Sequence, residues 1–279
     1  MNKPITVIDG EKLDGKSAGT KPVTLVACVT AYNEAATIGS VIDALRRSAY
    51  VTHIHVVDDG STDDTATIAR AHGADVLTLP ERVPVGEAIR HHCDGAPDDL
   101  LLWCDADLVG LTTAHIDTLV EAFLNGQASQ ILSSRALPPS WPQLLDQPFV
   151  RWSWQRIFGP ISGERIMWRR DFTAALSLAR RLGWSEMVRG YGIVLFLNWY
   201  FREFGLGHKI VYLAGLRQRQ KYQKWGKSAS GEMISQWLQF IRVWIKIRCY
   251  ASQIKSLRAT AAKSSPYGST REKSEKVIR

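Results

Sequence analysis

Leu100-Leu101-Leu102-Trp103-Cys104-Asp105-Ala106-Asp107 is the stretch that decides the fold. Its apolar run has the length of a strand buried on both faces. The two carboxylates that follow stand at i and i+2, and strand side chains alternate with period two, so both fall on one face. Like charges held that close repel, and a divalent cation with oxygen ligands is the natural neutraliser. A plain turn is the competing reading, since Asp is common where strands stop.

Working outward, the N-terminal half alternates strands with helices. Val23 to Thr30, His53 to Val57, Asp75 to Leu79, Asp99 to Cys104 and Gln130 to Ser134 read as strands. Ala35 to Arg47 has helical spacing through Ile38, Val41, Ile42 and Leu45. Asp63 to His72, Gly86 to His92 and Thr113 to Asn125 also read as helices. Such alternation implies βαβ units and a Rossmann-like, mostly parallel, doubly wound α/β sheet flanked by helices. Ligands of such sheets bind beyond the carboxyl ends of the strands. After residue 136 the regularity breaks at Pro138-Pro139 and Trp141-Pro142. Phe172 to Leu182 and Ile193 to Phe204 look helical, Lys209 to Leu213 looks like a late strand, and Met233 to Leu257 is a long helix candidate.

The composition, 45% hydrophobic and 22% charged over 279 residues, is that of a globular α/β chain. The net charge of +8 is unevenly placed: residues 209–279 carry +13 and residues 1–208 carry −5. The basic part suits phosphate groups or an anionic membrane surface. No nucleic-acid-binding motif accompanies it, so nucleic acid is not expected as a partner. Cys28, Cys93, Cys104 and Cys249 show no metal-binding spacing and read as free thiols of a reducing cytoplasm. No signal peptide is expected, and no apolar run reaches the ~20 residues that span a bilayer.

Four motifs lie at consecutive strand ends. They are Thr30-Ala31-Tyr32-Asn33-Glu34, Asp58-Asp59-Gly60-Ser61-Thr62-Asp63, Val85-Gly86-Glu87-Ala88-Ile89-Arg90 and Asp105-Ala106-Asp107. Singly, each reads as a turn, a helix cap or a surface residue. In this order they line one crevice.

Residues 22–135, with VTAYNEAATIGSVIDAL, VVDDGSTDDTATIA and LLLWCDADL, resemble the family-2 glycosyltransferases and their GT-A relatives. The resemblance implies a domain that binds a nucleotide-diphosphate sugar over the first half of its sheet and an acceptor over the second. It places Thr30, Tyr32 and Glu34 in the nucleotide pocket, and Asp58 and Asp59 on the base and ribose. Asp105 and Asp107 would hold the ribose and a Mg²⁺ or Mn²⁺ on the diphosphate, with Asp107 as the direct ligand. Gly86 and Arg90 would complete the donor side.

The later part, Ser162-Gly163-Glu164-Arg165, resembles the segment that passes under the donor sugar in polyprenyl-phosphate sugar transferases and glucosyl-3-phosphoglycerate synthases. Gly163 would admit the sugar and Arg165 would meet phosphate. Gly190-Tyr191-Gly192-Ile193 resembles the loop before the acceptor-side helix. Lys221, Lys224, Trp225 and Gly226 resemble a basic segment that closes over the diphosphate.

The resemblance implies a transferase acting on a phosphorylated or lipid-linked acceptor; the cysteine usage suggests a cytoplasmic protein, and the basic, tryptophan-rich C-terminal helix fits a peripheral place on the inner membrane face. It also admits two alternatives: a retaining transferase that makes a sugar-glycerate solute, or an inactive sugar-nucleotide-binding protein. The expected organisation is an N-terminal arm (1–20) and a catalytic domain (21–228). Within that domain the nucleotide-sugar half would be 21–135 and the acceptor half 136–228. An amphipathic basic helix (229–261), facing a membrane or packing on the catalytic domain or on a second subunit as a homodimer, and a disordered tail (262–279) would follow.

Three departures from the family pattern stand out. The usual lysine before the third helix is Val85, so Arg82 or Arg90 is expected to supply the charge. The carboxylate that often follows the Gly-x-Gly-Ile loop is Val194, which leaves Glu186 or Glu164 as the general base; a phosphate acceptor needs none. The late segment Leu216-Arg217-Gln218-Arg219-Gln220 lacks the histidine that relatives use as a third metal ligand.

Overall fold

A computed structural model describes residues 23–92, 99–126, 128–134, 163–219 and 229–249 of the chain. The central sheet has seven strands in the order β3-β2-β1-β4-β7-β6-β8. These are β1 (Leu25–Ala31), β2 (His53–Asp58), β3 (Asp75–Thr78), β4 (Leu100–Asp105), β6 (Gln130–Ser134), β7 (Arg165–Trp168) and β8 (Lys209–Tyr212). A two-stranded ribbon pairs β5 (Leu108–Val109) with β9 (Arg217–Gln218). The expected strands form within a residue or two of their predicted bounds. The pairings β1·β2, β1·β4, β2·β3 and β6·β8 are parallel, as expected.

β7 departs from the pattern. It runs antiparallel to both β4 and β6 and lies between them. The sheet is therefore mixed, although mostly parallel. The four residues Arg165-Ile166-Met167-Trp168 are too short for period two to stand out.

The helices are α1 (Ile38–Arg46), α2 (Thr65–Ala71), α3 (Val85–His91), α4 (Thr113–Leu124), α5 (Arg169–Arg181), α6 (Ser185–Arg189), α7 (Gly192–Glu203) and α8 (Ala229–Cys249). The strand alternation sorts them into two cores. On one face Leu25, Ala27, Val29, Leu100, Leu102 and Cys104 pack with α1 through Ile38, Val41, Ile42 and Leu45, and with α4 through Ile116, Leu119 and Val120. On the other, Val26, Cys28, Leu101 and Trp103 pack with α5 and α7 through Phe172, Phe196 and Phe201. Both faces of β1 and β4 are thus covered, as parallel strands require. Among the described residues Cys28, Cys104 and Cys249 form no disulfide, and the first two lie inside these cores; Cys93 lies outside the described residues.

Candidate active site

Winding reverses between β1 and β4 in the order β3-β2-β1-β4, and α/β sheets bind ligands at such a switch point. Thr30 at the end of β1 stands beside Asp105 at the end of β4. Ala31 stands beside Asp58 at the end of β2. The strand-end motifs therefore share one crevice.

At the β1 and β2 end of the crevice, two loops are tied together. Asn33 has a left-handed φ of 55°, which Asn tolerates better than most residues. Its backbone N–H donates to Ser61 Oγ at 2.9 Å, and its Oδ1 accepts from the Thr62 N–H at 2.8 Å. The Glu34 N–H donates to Thr65 Oγ1 at 2.7 Å, and the Ala35 N–H to Asp63 Oδ2 at 3.2 Å. The Asp58 carboxylate accepts from the Ser61 N–H at 3.3 Å.

Asp59 Oδ1 accepts from the Val83 N–H at 2.6 Å. Burial nevertheless pushes its carboxyl up to about 6, with Asp58 adding to the rise and Val83 and Arg82 opposing it. The Arg82 guanidinium lies over the Tyr32 ring, 4.8 Å from its centroid, a cation–π contact at the pocket. Of the two arginines expected to replace the lysine, Arg82 reaches this end. Arg90 is exposed on α3. Gly86 has a packing role, since a Cβ there would collide with the Val188 and Arg189 carbonyls of α6.

At the Asp105 and Asp107 end, the β5–β9 ribbon brings in a side chain that the sequence did not single out. Gln218 Nε2 donates to Asp107 Oδ1 and Oδ2 at 3.0 Å each, and approaches Asp105 Oδ2 at 3.5 Å. The next residue continues the strap. The Arg219 N–H donates to the Asp107 carbonyl at 2.8 Å, and its guanidinium lies 3.9 Å from the buried Glu34 carboxylate. Gln218 and Arg219 thus cross the crevice from the aspartate pair to the nucleotide loop. Absence of a histidine hid them; the remaining signal was an amide in the late segment. His115 braces the approach to this strap, its Nε2 sitting 3.0 Å from the Ala214 carbonyl.

Under the aspartates, Gly163, Glu164 and Arg165 are closely packed. A Cβ on Gly163 would collide with the Asp105 carboxylate, so the room at Gly163 is filled by Asp105 rather than by a sugar. Arg165 is fully buried, its guanidinium 5.4 Å from the Trp103 ring centroid. It has no surface from which to meet a phosphate. Burial lowers it to about 10, while Asp105 and Glu164 pull it back up, so it serves as a buried countercharge behind Asp105. Glu164 is 1% exposed and accepts a hydrogen bond from the Ser133 hydroxyl. The reason is β7 itself: a strand between two others buries both residues at its start, whereas a loop would have left them open.

Glu186, the other base candidate, is exposed on α6 and paired with Arg189 at 3.2 Å, and Arg189 also holds Glu87 at 2.8 Å. These contacts raise the Arg189 guanidinium, Glu87 first. Val194 packs against the α5–α7 core. Lys224 and its neighbours lie outside the described residues.

The donor set fits a divalent cation: two carboxylates, and a glutamine side chain that also carries an amide oxygen, converge on one point. Among the described residues no three His, Cys, Asp or Glu side chains cluster as metal ligands. A cation here would draw part of its shell from substrate phosphates, as Mg²⁺ sites commonly do.

A GT-A-like α/β fold with a crevice of this kind defines a nucleotide-sugar-binding class. Residues 26–141 match the glycosyl transferase family 2 model, and the chain has distant similarity to glucosyl-3-phosphoglycerate synthases. The synthase of Mycobacterium tuberculosis strain H37Rv is 35% identical over 133 residues, covering 44% of this chain and 40% of the synthase. That of Petrotoga mobilis is 29% identical over 105 residues, 33% of this chain and 32% of its own. The aligned part thus spans less than half of these curated relatives. The solved M. tuberculosis synthase in complex with Mn²⁺, uridine diphosphate and glucosyl-3-phosphoglycerate superposes with a TM-score of 0.59 at 25% identity, covering 78% of this chain and 80% of that one. Its complex with Mn²⁺ and uridine-diphosphate-glucose superposes with the same TM-score at 26% identity.

Proposed function

We propose that the chain is a divalent-metal-dependent glycosyltransferase that moves a sugar from a nucleotide-diphosphate sugar to a phosphorylated or lipid-linked acceptor. The carrying observation is the convergence of Asp105, Asp107 and Gln218 at the switch point, one strand away from the nucleotide loops. Mn²⁺ and uridine-diphosphate-glucose in the solved relatives support a nucleotide-diphosphate sugar as donor.

Asp107 and Asp105 would hold Mg²⁺ or Mn²⁺ with Gln218, and the cation would supply Lewis-acid stabilisation of the leaving diphosphate. Tyr32, Glu34, Asp58 and Asp59 would orient the nucleoside. Arg82 would add positive charge where the family lysine is replaced by Val85. Arg219, anchored on Asp107 and reaching Glu34, would tie the metal end to the nucleotide end, so that filling one orders the other. Arg165 would act as a buried countercharge behind Asp105.

Glu164 is buried against Ser133 and Glu186 is held by Arg189, so neither is set toward an acceptor proton. An acceptor that is already an anion needs no base, and this favours a phosphate. The M. tuberculosis synthase binds phosphoglyceric acid, and this motivates the second reading, a retaining transferase that makes a sugar-glycerate.

The test is donor turnover with a panel of nucleotide sugars, with Mn²⁺ or Mg²⁺, in the wild type and Asp107→Asn. Metal-dependent turnover that falls about a hundredfold or more in the variant is expected. Turnover that survives both chelation and the substitution would overturn the metal mechanism. Donor binding without turnover across phosphorylated acceptors would point to a binding protein.

A further inference from the structure

α8 has two unlike long faces. One is docked on the molecule: Phe240 and Val243 are buried with Leu195 of α7, and Gln239 Oε1 accepts the Tyr191 N–H at 2.9 Å. At 100° per residue, the opposite face carries Leu238, Ile241 and Ile245. They are 49%, 44% and 48% exposed, three of the large apolar side chains left open to water on the described surface. Arg242 and Lys246 flank this stripe on one side and Arg248 on the other, all exposed. The Arg248 guanidinium lies 5.2 Å from the Trp244 ring centroid. Residues 233–271 contain no Asp or Glu.

We propose that this outer face of α8 seats on an anionic bilayer surface. An apolar stripe between basic margins matches a helix lying in the interface, with aliphatic side chains among the acyl chains and cations at the lipid phosphates. Charge complementarity selects this occupant. A second copy packed stripe to stripe would bring Arg242, Lys246 and Arg248 against their own equivalents, with no acidic residue from this stretch to pair with them. No described helix is long and apolar enough to cross a membrane, so the contact is peripheral.

The docked face sets the consequence. Gln239 holds the Gly190-Tyr191-Gly192 loop, and a Cβ on Gly190 or Gly192 would collide with Gln239 or Val243. α8 therefore cannot shift without moving the loop that begins α7. Resting on the proposed transferase function, this puts the acceptor side next to lipid and favours a lipid-linked phosphate as acceptor.

The experiment is co-sedimentation of the full chain with vesicles of phosphatidylcholine alone, or of phosphatidylcholine and phosphatidylglycerol in equal amounts. The wild type is expected to sediment with the anionic vesicles only, and less so at high salt. Ile241→Glu/Ile245→Glu and, separately, Arg242→Glu/Lys246→Glu are each expected to reduce partitioning by on the order of tenfold or more, with unchanged circular dichroism. The second pair keeps the test decisive if the first perturbs folding. Wild-type protein that stays in the supernatant, binding indifferent to both pairs, or a dimer that the isoleucine pair splits would each overturn the proposal. Turnover with a soluble phosphorylated acceptor is measured on the same samples. Its retention when vesicle binding fails would leave the transferase reading standing.

Discussion

At the scale of single residues, the site turns on how carboxylates are neutralised. Asp107 is bridged by an amide that donates to both its oxygens at 3.0 Å. Gln218→Ala removes a potential ligand and its anchor, and should weaken Mn²⁺ binding on the order of tenfold. Gln218→Glu adds a hard anionic oxygen and should restore or exceed wild-type affinity. Mn²⁺ titration followed by electron paramagnetic resonance, with a nucleoside diphosphate present, separates these; equal affinity in all three proteins would rule out Gln218 as a partner of the cation. Asp59 poses a different balance, because its carboxyl is raised from 3.8 to about 6 by burial. Between those values the folded state holds its proton more firmly than the unfolded state. This group's contribution to stability therefore grows as pH falls through about 6 and levels off below about 3.8. Asp59→Asn keeps an acceptor for the Val83 N–H and removes the charge. Its stability relative to wild type should be greatest above pH 6 and shrink toward pH 4, read from urea unfolding across that range; a constant difference would show that Asp59 does not titrate there.

At the scale of elements, the short strand β7 decides more than its four residues suggest. It carries Arg165 under Asp105 and sets Gly163 against the Asp105 carboxylate. Gly163→Ala should push that carboxylate away, costing about 1–3 kcal/mol of stability and weakening metal binding about tenfold, while Ala in place of the exposed Gly207, with nothing near its Cβ, should leave the metal end untouched. Calorimetric metal titration checks both; unchanged affinity in Gly163→Ala would mean Asp105 is not held by this contact. The alternation of β1, β2 and β4 with their helices was legible in sequence because buried parallel strands leave continuous apolar runs. So were the carboxylates at their ends, because a charge after such a run has one place to go. β7 and the β5–β9 ribbon were not legible. Their pairing is set by residues more than a hundred positions apart in the ribbon, and short segments carry no periodicity of their own. That is why Arg165 and Glu164 looked available to a ligand, and why Gln218 and Arg219 looked unimportant.

At the scale of the whole molecule, the crevice joins two chemically different ends through one strap. Asp105 and Asp107 offer hard oxygens, while Tyr32, Glu34, Asp58 and Asp59 would surround the nucleoside in the proposed complex. Arg219 bonds the Asp107 carbonyl through its backbone and approaches Glu34 through its side chain. In the proposed complex, a ligand that filled both ends would take the place of the amide contacts on Asp105 and Asp107 and would secure the strap from either side. Metal and nucleoside diphosphate should therefore stabilise the fold together by more than their separate effects. Ligand at about 100 times its dissociation constant contributes about 2.7 kcal/mol, which in a chain of this size corresponds to a melting shift of roughly 5–10 °C. Mn²⁺ alone should give little, because two carboxylates leave most of its shell to water and phosphate. Differential scanning fluorimetry with Mn²⁺, uridine diphosphate, both, and both plus a chelator measures the coupling. Asp107→Asn should abolish the extra shift, and Arg219→Ala should reduce it while leaving the response to nucleotide alone. Purely additive shifts in the wild type would mean that the two ends fill independently and that the strap does not couple them.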